Sequence, residues 1–422
     1  LWNDQRTQAQ CDHITAKIGA ERLIQLTGNR ALTGFTAPKI VWVRDHEPDI
    51  YAQCAHILLP KDYIRYCLSG DYAMDMADGS GTLLMNVAER TWSNDVLGAL
   101  DIPATWLPRL YEGTEITGTI SAEASRLTGL SAGTPIIAGG GDQAAGAIGM
   151  GCVSPDKIGI TIGTSGVVFA HMDSVAYDPA GRVHTFCHAV RGKWHVMGVT
   201  QGAGLSLQWF RNQLAAGASY DDLTAEAAGS DRGARGLFWL PYLMGERTPH
   251  LDSSCRAAWV GLTAAHTRAD MTRAVLEGVC YSQKDCLDII AGLGCGVESV
   301  RLSGGGAKSA LWKQLFADIF AKPVAVLESQ EGSAYGAALL AMTGTGAFAS
   351  VTEACQATIR EVETIQPGPD SPFHQRAHCV YHAMYPALRG SFQAIEALTA
   401  EAAAVPAIPA TTEYVLRALN ES

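Results

Sequence analysis

Apolar residues recur at helical spacing between Cys11 and Gly28, where Ile14, Ile18, Leu23 and Leu26 share one face, and Lys39 to Asp45 predicts a shorter helix around Ile40, Val41 and Val43. From Leu58 onward the pattern is interrupted by Gly70, Gly79, Gly81, Pro103 and Pro108, which predicts a loop-rich stretch. A short apolar strand, Pro135-Ile136-Ile137-Ala138, then runs into Gly139-Gly140-Gly141-Asp142, and the small apolar residues from Ala144 to Met150 predict a close-packed helix. Lys157 to Ile162 and Val167 to Ala170 read as two strands joined by the tight turn Gly163-Thr164-Ser165-Gly166. Leu237 to Leu243 is a further apolar run, closed by Gly245-Glu246-Arg247-Thr248-Pro249-His250. Asp270 to Ile290 carries helical periodicity through Met271, Val275, Val279 and Leu287. Val300 to Ser303 predicts a strand that enters Gly304-Gly305-Gly306, with a helix following from Ser309 through Trp312, Leu315 and Ile319. Strands that feed helices through glycine turns, beside a hairpin, predict an α/β chain with more than one sheet. No repeat of solenoid period occurs, and the Ala-rich segment after residue 390 predicts a surface helix or tail.

Composition narrows the picture. At 422 residues, with 47% apolar and 17% charged, the chain exceeds what one core serves, so two domains are expected. A net charge of −11 argues against a broad surface for nucleic acid or anionic lipid, which needs clustered Lys and Arg. Eleven cysteines without C-x-x-C spacing predict free thiols and a cytoplasmic location. No run of 18 apolar residues is found, and no charged and apolar leader opens the chain, so neither a membrane span nor secretion is expected. Leu1-Trp2-Asn3-Asp4 reads as the end of an apolar strand, which predicts that part of the first domain lies upstream.

The candidate chemistry concentrates in the glycine turns. Gly163-Thr164-Ser165-Gly166 combines unobstructed N–H groups with two hydroxyls, a geometry able to wrap a terminal phosphate. Gly304-Gly305-Gly306 can admit a base or ribose against the backbone and aim the following helix at phosphates. Taken singly, each turn is more often a plain tight connection, and neither fits the P-loop or dinucleotide patterns. Asp142 follows three glycines at a strand end, where a carboxylate can take a proton from an attacking hydroxyl; the bland alternative is a helix cap. His184, Cys187 and His188, like His378, Cys379 and His382, lack a second ligand pair, so structural roles are expected and metal ligands stay unassigned. Glu246, Arg247 and His250 could meet substrate, but a charged loop is usually solvated. Trp2, Trp42 and Trp209 could be core or sugar platforms.

Taken in order, these motifs resemble the FGGY carbohydrate kinases, closest to their xylulokinase branch, from Leu1 to about Leu340. Two stretches carry the resemblance: Gly34 to His46, and Ala257 to Leu262 with Asp270, Met271 and Ala274 to Glu277. Four more point to the branch: Leu1 to Asp4, Leu58 to Tyr63, Phe186 to Ala189, and Leu240 to His250. The resemblance implies a two-domain actin-like, ribonuclease H-like ATPase fold with a cleft and an incomplete first domain. It divides the chain into 1–150 on the sugar side, 151–390 on the nucleotide side, and a C-terminal helix or tail at 391–422. It implies ATP with Mg²⁺, transfer of phosphate to a ketose such as D-xylulose, and Asp142 as general base, and it allows a homodimer. Gln143, Trp2, Asn3 and Asp4 would then meet the sugar, and Gly163, Thr164, Ser165, Gly204, Gln208, Gly305, Gly306 and Ala307 the nucleotide. Two departures matter: Gln143 stands where many xylulokinases have Asn, and Ala310 where glycerol kinases have an Asn near the adenine. The family's Asp-x-Gly-Thr phosphate loop and sugar-contacting Met-His pair are expected upstream of Leu1, since neither occurs in the sequence. Two alternatives stay open: a kinase for another polyol or sugar (glycerol, gluconate or ribulose), and a nucleotide-binding piece that transfers nothing. An actin-like or chaperone ATPase is more remote.

Overall fold

A computed structural model of the chain describes residues 4–329 and 331–404. The predicted helical stretch after Cys11 is two helices, Gln8–Ile18 and Ala20–Thr27, separated where Gly19 takes φ of 90°. Thr36–His46 forms a helix whose preceding residue, Phe35, is extended. The segment predicted as loop-rich contains a full helix, Pro60–Ser69, opened by Pro in the first turn and closed by Gly70 at φ 83°. It escapes periodicity because it is packed inside out: Asp62 and Arg65 are buried, whereas Tyr63 and Ile64 are 57% and 60% exposed. The first half packs around Ile14, Leu23, Val41, Leu84, Val96 and Leu97, and among the described residues its strands form short two-stranded pairings.

The second half is built on a seven-stranded mixed sheet in the order Glu361–Ile365, Val324–Leu327, Ser299–Gly304, Lys157–Ile162, Gly166–Met172, Trp194–Thr200, His184–Cys187. The Lys157–Ile162 and Gly166–Met172 strands form the expected hairpin, and Lys157–Ile162 pairs in parallel with Ser299–Gly304 on its other edge. Against the hairpin side lies the long helix Arg268–Gly292, opened by a capping box between Thr267 and Asp270 and buried along most of its length. The helix Asp142–Gly149 packs against Gly332–Gly344. Their backbones touch through small residues: a Cβ on Gly336 would lie 1.8 Å from the Ala145 carbonyl oxygen, and one on Gly149 2.0 Å from that of Gly332. The final described helix is Ser371–Ala404.

The two halves are joined by the sheet's edge strand. Phe186 inserts into the first core, with Phe35 edge-on at 6.1 Å. Asn29 donates from Nδ2 to the Thr185 carbonyl at 2.8 Å and meets His184 Nδ1 through Oδ1 at 2.9 Å. Gly28 sits so close that a Cβ would be 2.8 Å from the Thr185 oxygen. The first of the two resemblance stretches, Gly34 to His46, contributes Phe35 to this seam, and Gly28 and Asn29 just before it supply the rest of these contacts.

Candidate functional site

The two glycine turns lie about 140 residues apart in sequence and side by side in space, because they leave neighbouring parallel strands paired in register at Ile162 and Gly304. Loops beyond the carboxyl ends of parallel strands form the usual binding crevice of α/β sheets. Gly304 is at φ 80°, where a side chain would meet the Ile162 carbonyl oxygen at 2.5 Å. The chain after it makes a 3₁₀ turn, Gly305–Lys308, before Ser309 caps the helix Ala310–Phe320 by accepting from the Trp312 N–H at 3.3 Å. The glycines thus lead into that helix through one extra turn.

The helix Gly204–Leu214 docks onto the other turn, its Gly204 and Leu205 N–H groups donating to the Gly163 and Thr164 carbonyls at 2.9 and 3.1 Å. Only glycine permits this approach, since a Cβ on Gly204 would be 2.3 Å from the Gly163 oxygen. The Gly163 N–H is used inside the turn, donating to the Ser165 carbonyl at 3.0 Å. The Thr164 and Ser165 hydroxyls make no hydrogen bond among the described residues, so both keep a free donor.

These elements surround a cavity of about 600 Å³ that brings together Gly163, Thr164, Gly204, Gln208 and Gly305. Ser165, Gly306 and Ala307 do not line it; Gly306 and Ala307 are buried behind it, and a Cβ on Gly306 would touch Ile162 at 3.0 Å. Sequence reasoning missed Arg211, Tyr220, Asp221 and Lys308 on its walls; Arg211 could be found by extending the helical face begun by Gly204 and Gln208, whereas Tyr220 and Asp221 open the next helix and Lys308 ends the turn after Gly304.

Asp142 lies outside this cavity. It is the first residue of the helix Asp142–Gly149, with Gly141 in the cap position and no side-chain cap bond, so the capping alternative does not describe it. Its carboxylate is exposed, accepts from the Gln143 N–H at 2.8 Å, and has Gln143 Nε2 at 3.4 Å. Ser333 donates to its carbonyl at 2.8 Å, tying the turn to the helix pair. Close by is an ionic group that sequence reasoning did not single out: Lys61 Nζ contacts Asp62 at 3.0 Å, Asp78 at 3.3 Å and also Asp75. Burial, with the neighbouring Asp75 carboxylate next, pushes Asp78 up to about 6.

Of the three residues expected near the sugar at the start of the chain, Trp2 and Asn3 lie outside the described residues. Asp4 is bound to Arg6, accepting from its N–H and Nε at 3.0 Å each, which holds the carboxyl below its usual range. The solvated loop expected at Glu246 is instead packed inward. Glu246 is 2% exposed, and its Oε1 accepts from the Gln201 and Arg247 N–H groups at 2.8 and 2.7 Å while Oε2 has no partner among the described residues. Burial pushes this carboxyl up to about 8. His378 Nε2 and His382 Nδ1 both bond to Asp285 Oδ1, at 2.9 and 2.8 Å. Trp209 stacks on Trp239 at 5.9 Å in a tryptophan cluster, and Trp42 stacks on His46 at 4.4 Å.

Comparison with known proteins covers both halves. The N-terminal domain model of the FGGY family of carbohydrate kinases matches residues 1–149, and the C-terminal domain model residues 158–345. Xylulose kinases from Bacillus subtilis and Escherichia coli are each 41% identical, over 87% and 84% of this chain and 73% and 72% of their own lengths. A solved xyloylose kinase from Brucella ovis aligns with a TM-score of 0.87 at 36% identity, covering 92% of this chain and 80% of that one. The architecture is accordingly the two-domain, actin-like one.

Proposed function

Because the chain belongs to the FGGY family of carbohydrate kinases, we propose that it moves the γ-phosphoryl group of ATP to the terminal hydroxyl of D-xylulose, giving D-xylulose 5-phosphate and ADP. The observation that carries this reading is the meeting of two phosphate-type turns around one cavity, with an exposed carboxylate on a separate helix. The nucleotide lies along Gly204 and Gln208 with its phosphates toward Thr164 and Gly305. Asp142 accepts the proton of the sugar O5 as that oxygen attacks the γ-phosphorus, and ADP leaves in line. Gln143, beside that carboxylate, contacts the sugar, as do Trp2, Asn3 and Asp4. Mg²⁺ bound with the nucleotide would neutralise charge on the phosphates. Among the described residues no group of three or more His, Cys, Asp or Glu could hold a metal ion, so no side chain is assigned to it. Eleven free cysteines favour a reducing compartment, so a cytoplasmic site of action belongs to the proposal.

ADP release measured with D-xylulose, D-ribulose, glycerol and gluconate tests the assignment. The fastest turnover is expected with D-xylulose. Preference for another acceptor would change the substrate, and ATP binding without transfer to any would replace the enzyme by a binding-only piece. Asp142→Asn is expected to cut transfer by about 10²–10⁴-fold while ATP affinity, read by calorimetry, stays at the wild-type value.

A further inference from the structure

The helix Pro60–Ser69 turns its charges inward, and the proposed reaction gives them no task. Its first turn lies in the stretch Leu58 to Tyr63, which carries part of the family resemblance. Burying ions is costly unless each is paired and hydrogen-bonded, and here the pairings converge on the glycine turn before Asp142. Arg65 is buried, donating from Nη1 to the Ala73 carbonyl at 2.8 Å and from Nη2 to the Ala138 carbonyl. Ala138 passes the strand Pro135–Ile137 into Gly139-Gly140-Gly141. Asp75 accepts from the Ala77 and Asp78 N–H groups at 3.0 Å each, which fixes the backbone of Asp78. Lys61 gathers the carboxylates: its Nζ meets Asp62 at 3.0 Å, Asp78 Oδ2 at 3.3 Å, and Asp75. Burial works against the Lys61 charge, but the carboxylates outweigh it and hold the group above the ordinary lysine range.

The two oxygens of Asp78 are thereby divided. Oδ2 is on Lys61, while Oδ1 faces Gly141 so closely that a Cβ there would lie 2.4 Å from it. Gly141 is bonded directly to Asp142, whose carbonyl Ser333 holds from the other side. The turn is therefore gripped at its entry by Arg65 on Ala138, at its middle by Asp78 against Gly141, and at its exit by Ser333.

We propose that the Lys61–Asp78 pair is a positioning device for Asp142: Lys61 aims the Asp78 carboxylate at Gly141, and that contact sets where the Asp142 carboxylate stands. The proposal rests on the kinase reading, in which Asp142 is the base. Asp78 touches neither reactant and acts through Asp142 alone. A base displaced by about 1 Å can lose as much as 10²-fold in rate.

A double-mutant cycle tests this role. Asp78→Ala is expected to lower kcat with D-xylulose about ten-fold, with the KM for the sugar and the ATP affinity read by calorimetry unchanged. In an Asp142→Asn background the same substitution should cause no further loss, because the group it positions is gone. Asp78→Asn keeps the shape against Gly141 and an acceptor for Lys61, and should recover most of the turnover. Asp78→Ser serves in the same cycle if the alanine variant does not fold. Equal losses in both backgrounds would mean that Asp78 does not act through Asp142, and a raised sugar KM at wild-type kcat would mean that it binds the acceptor. Wild-type kinetics in the alanine and serine variants would mean that the turn stands without it; each of these results overturns the proposal. Full turnover in Asp142→Asn alone would instead overturn the choice of base and remove the basis of this one.

Discussion

Gly141 leaves no space for a side chain: a Cβ there would lie 2.4 Å from Asp78 Oδ1. Asp78 in turn contacts Lys61, which also holds Asp62 and Asp75. The methyl of Gly141→Ala must therefore displace either this ionic group or the turn that carries Asp142. Misplacement by about 1 Å can cost as much as 10²-fold in rate, so a fall in kcat of at least ten-fold with unchanged ATP affinity is expected, checked by steady-state kinetics beside calorimetry. The glycine run before Asp142 is legible in the sequence as a turn, but the reason for Gly141 is not, because its neighbour is an Asp some sixty residues earlier. Glu246 shows the same limit. Its composition reads as solvated surface, yet burial pushes it up to about 8, well above its ordinary 4.5. Between those values the folded chain keeps a proton that the unfolded chain releases, so this residue costs stability as pH rises. Glu246→Gln keeps the shape without the titration, and its melting temperature should fall less than the wild type's between pH 6 and pH 8.

Among the elements, the Asp142–Gly149 and Gly332–Gly344 pair has the tightest demands. A methyl on Gly336 would sit 1.8 Å from the Ala145 carbonyl oxygen, a backbone atom that can yield only if the helix moves. Overpacking of this kind costs about 1–3 kcal/mol. Gly336→Ala should thus lower the melting temperature by several degrees and reduce kcat through the helix that carries Asp142, whereas Gly344 neighbours Thr114 and Ile137 and tests a different contact. The small residues from Ala144 to Met150 predicted close packing correctly, since nothing larger fits between touching backbones. The Pro60–Ser69 helix was missed for the opposite reason. Its buried residues are Asp62 and Arg65, joined at 3.2 Å, so the ordinary relation between hydrophobicity and burial is inverted there.

At the scale of the whole molecule, titration should shape stability from both sides. Burial lowers His184 and His195 to about 3 and His188 well below 6.5. The folded chain keeps these imidazoles neutral, while the unfolded chain takes up protons as pH falls through 6.5, so stability is lost progressively toward acid. Glu246 acts on the other side, and a maximum near about pH 6.5 is expected from melting temperatures across pH 4 to 9. Three of the four residues sit in or beside the edge strand that joins the halves, so acid should loosen that seam early, visible as rising fluorescence change near Trp194, which donates to the Val87 carbonyl at 2.8 Å across it. Local pattern alone determined the hairpin, the long helix and the glycine turns, because strand alternation, helical spacing and turn composition are properties of contiguous residues; the family followed from the resemblance of whole motif stretches such as Gly34 to His46. Only the tertiary structure decided that the Gly163 and Gly304 turns share one cavity and that Asp142 stands outside it. Those relations depend on the parallel pairing of two strands far apart in sequence and on the packing of helices across the sheet, which no local pattern encodes.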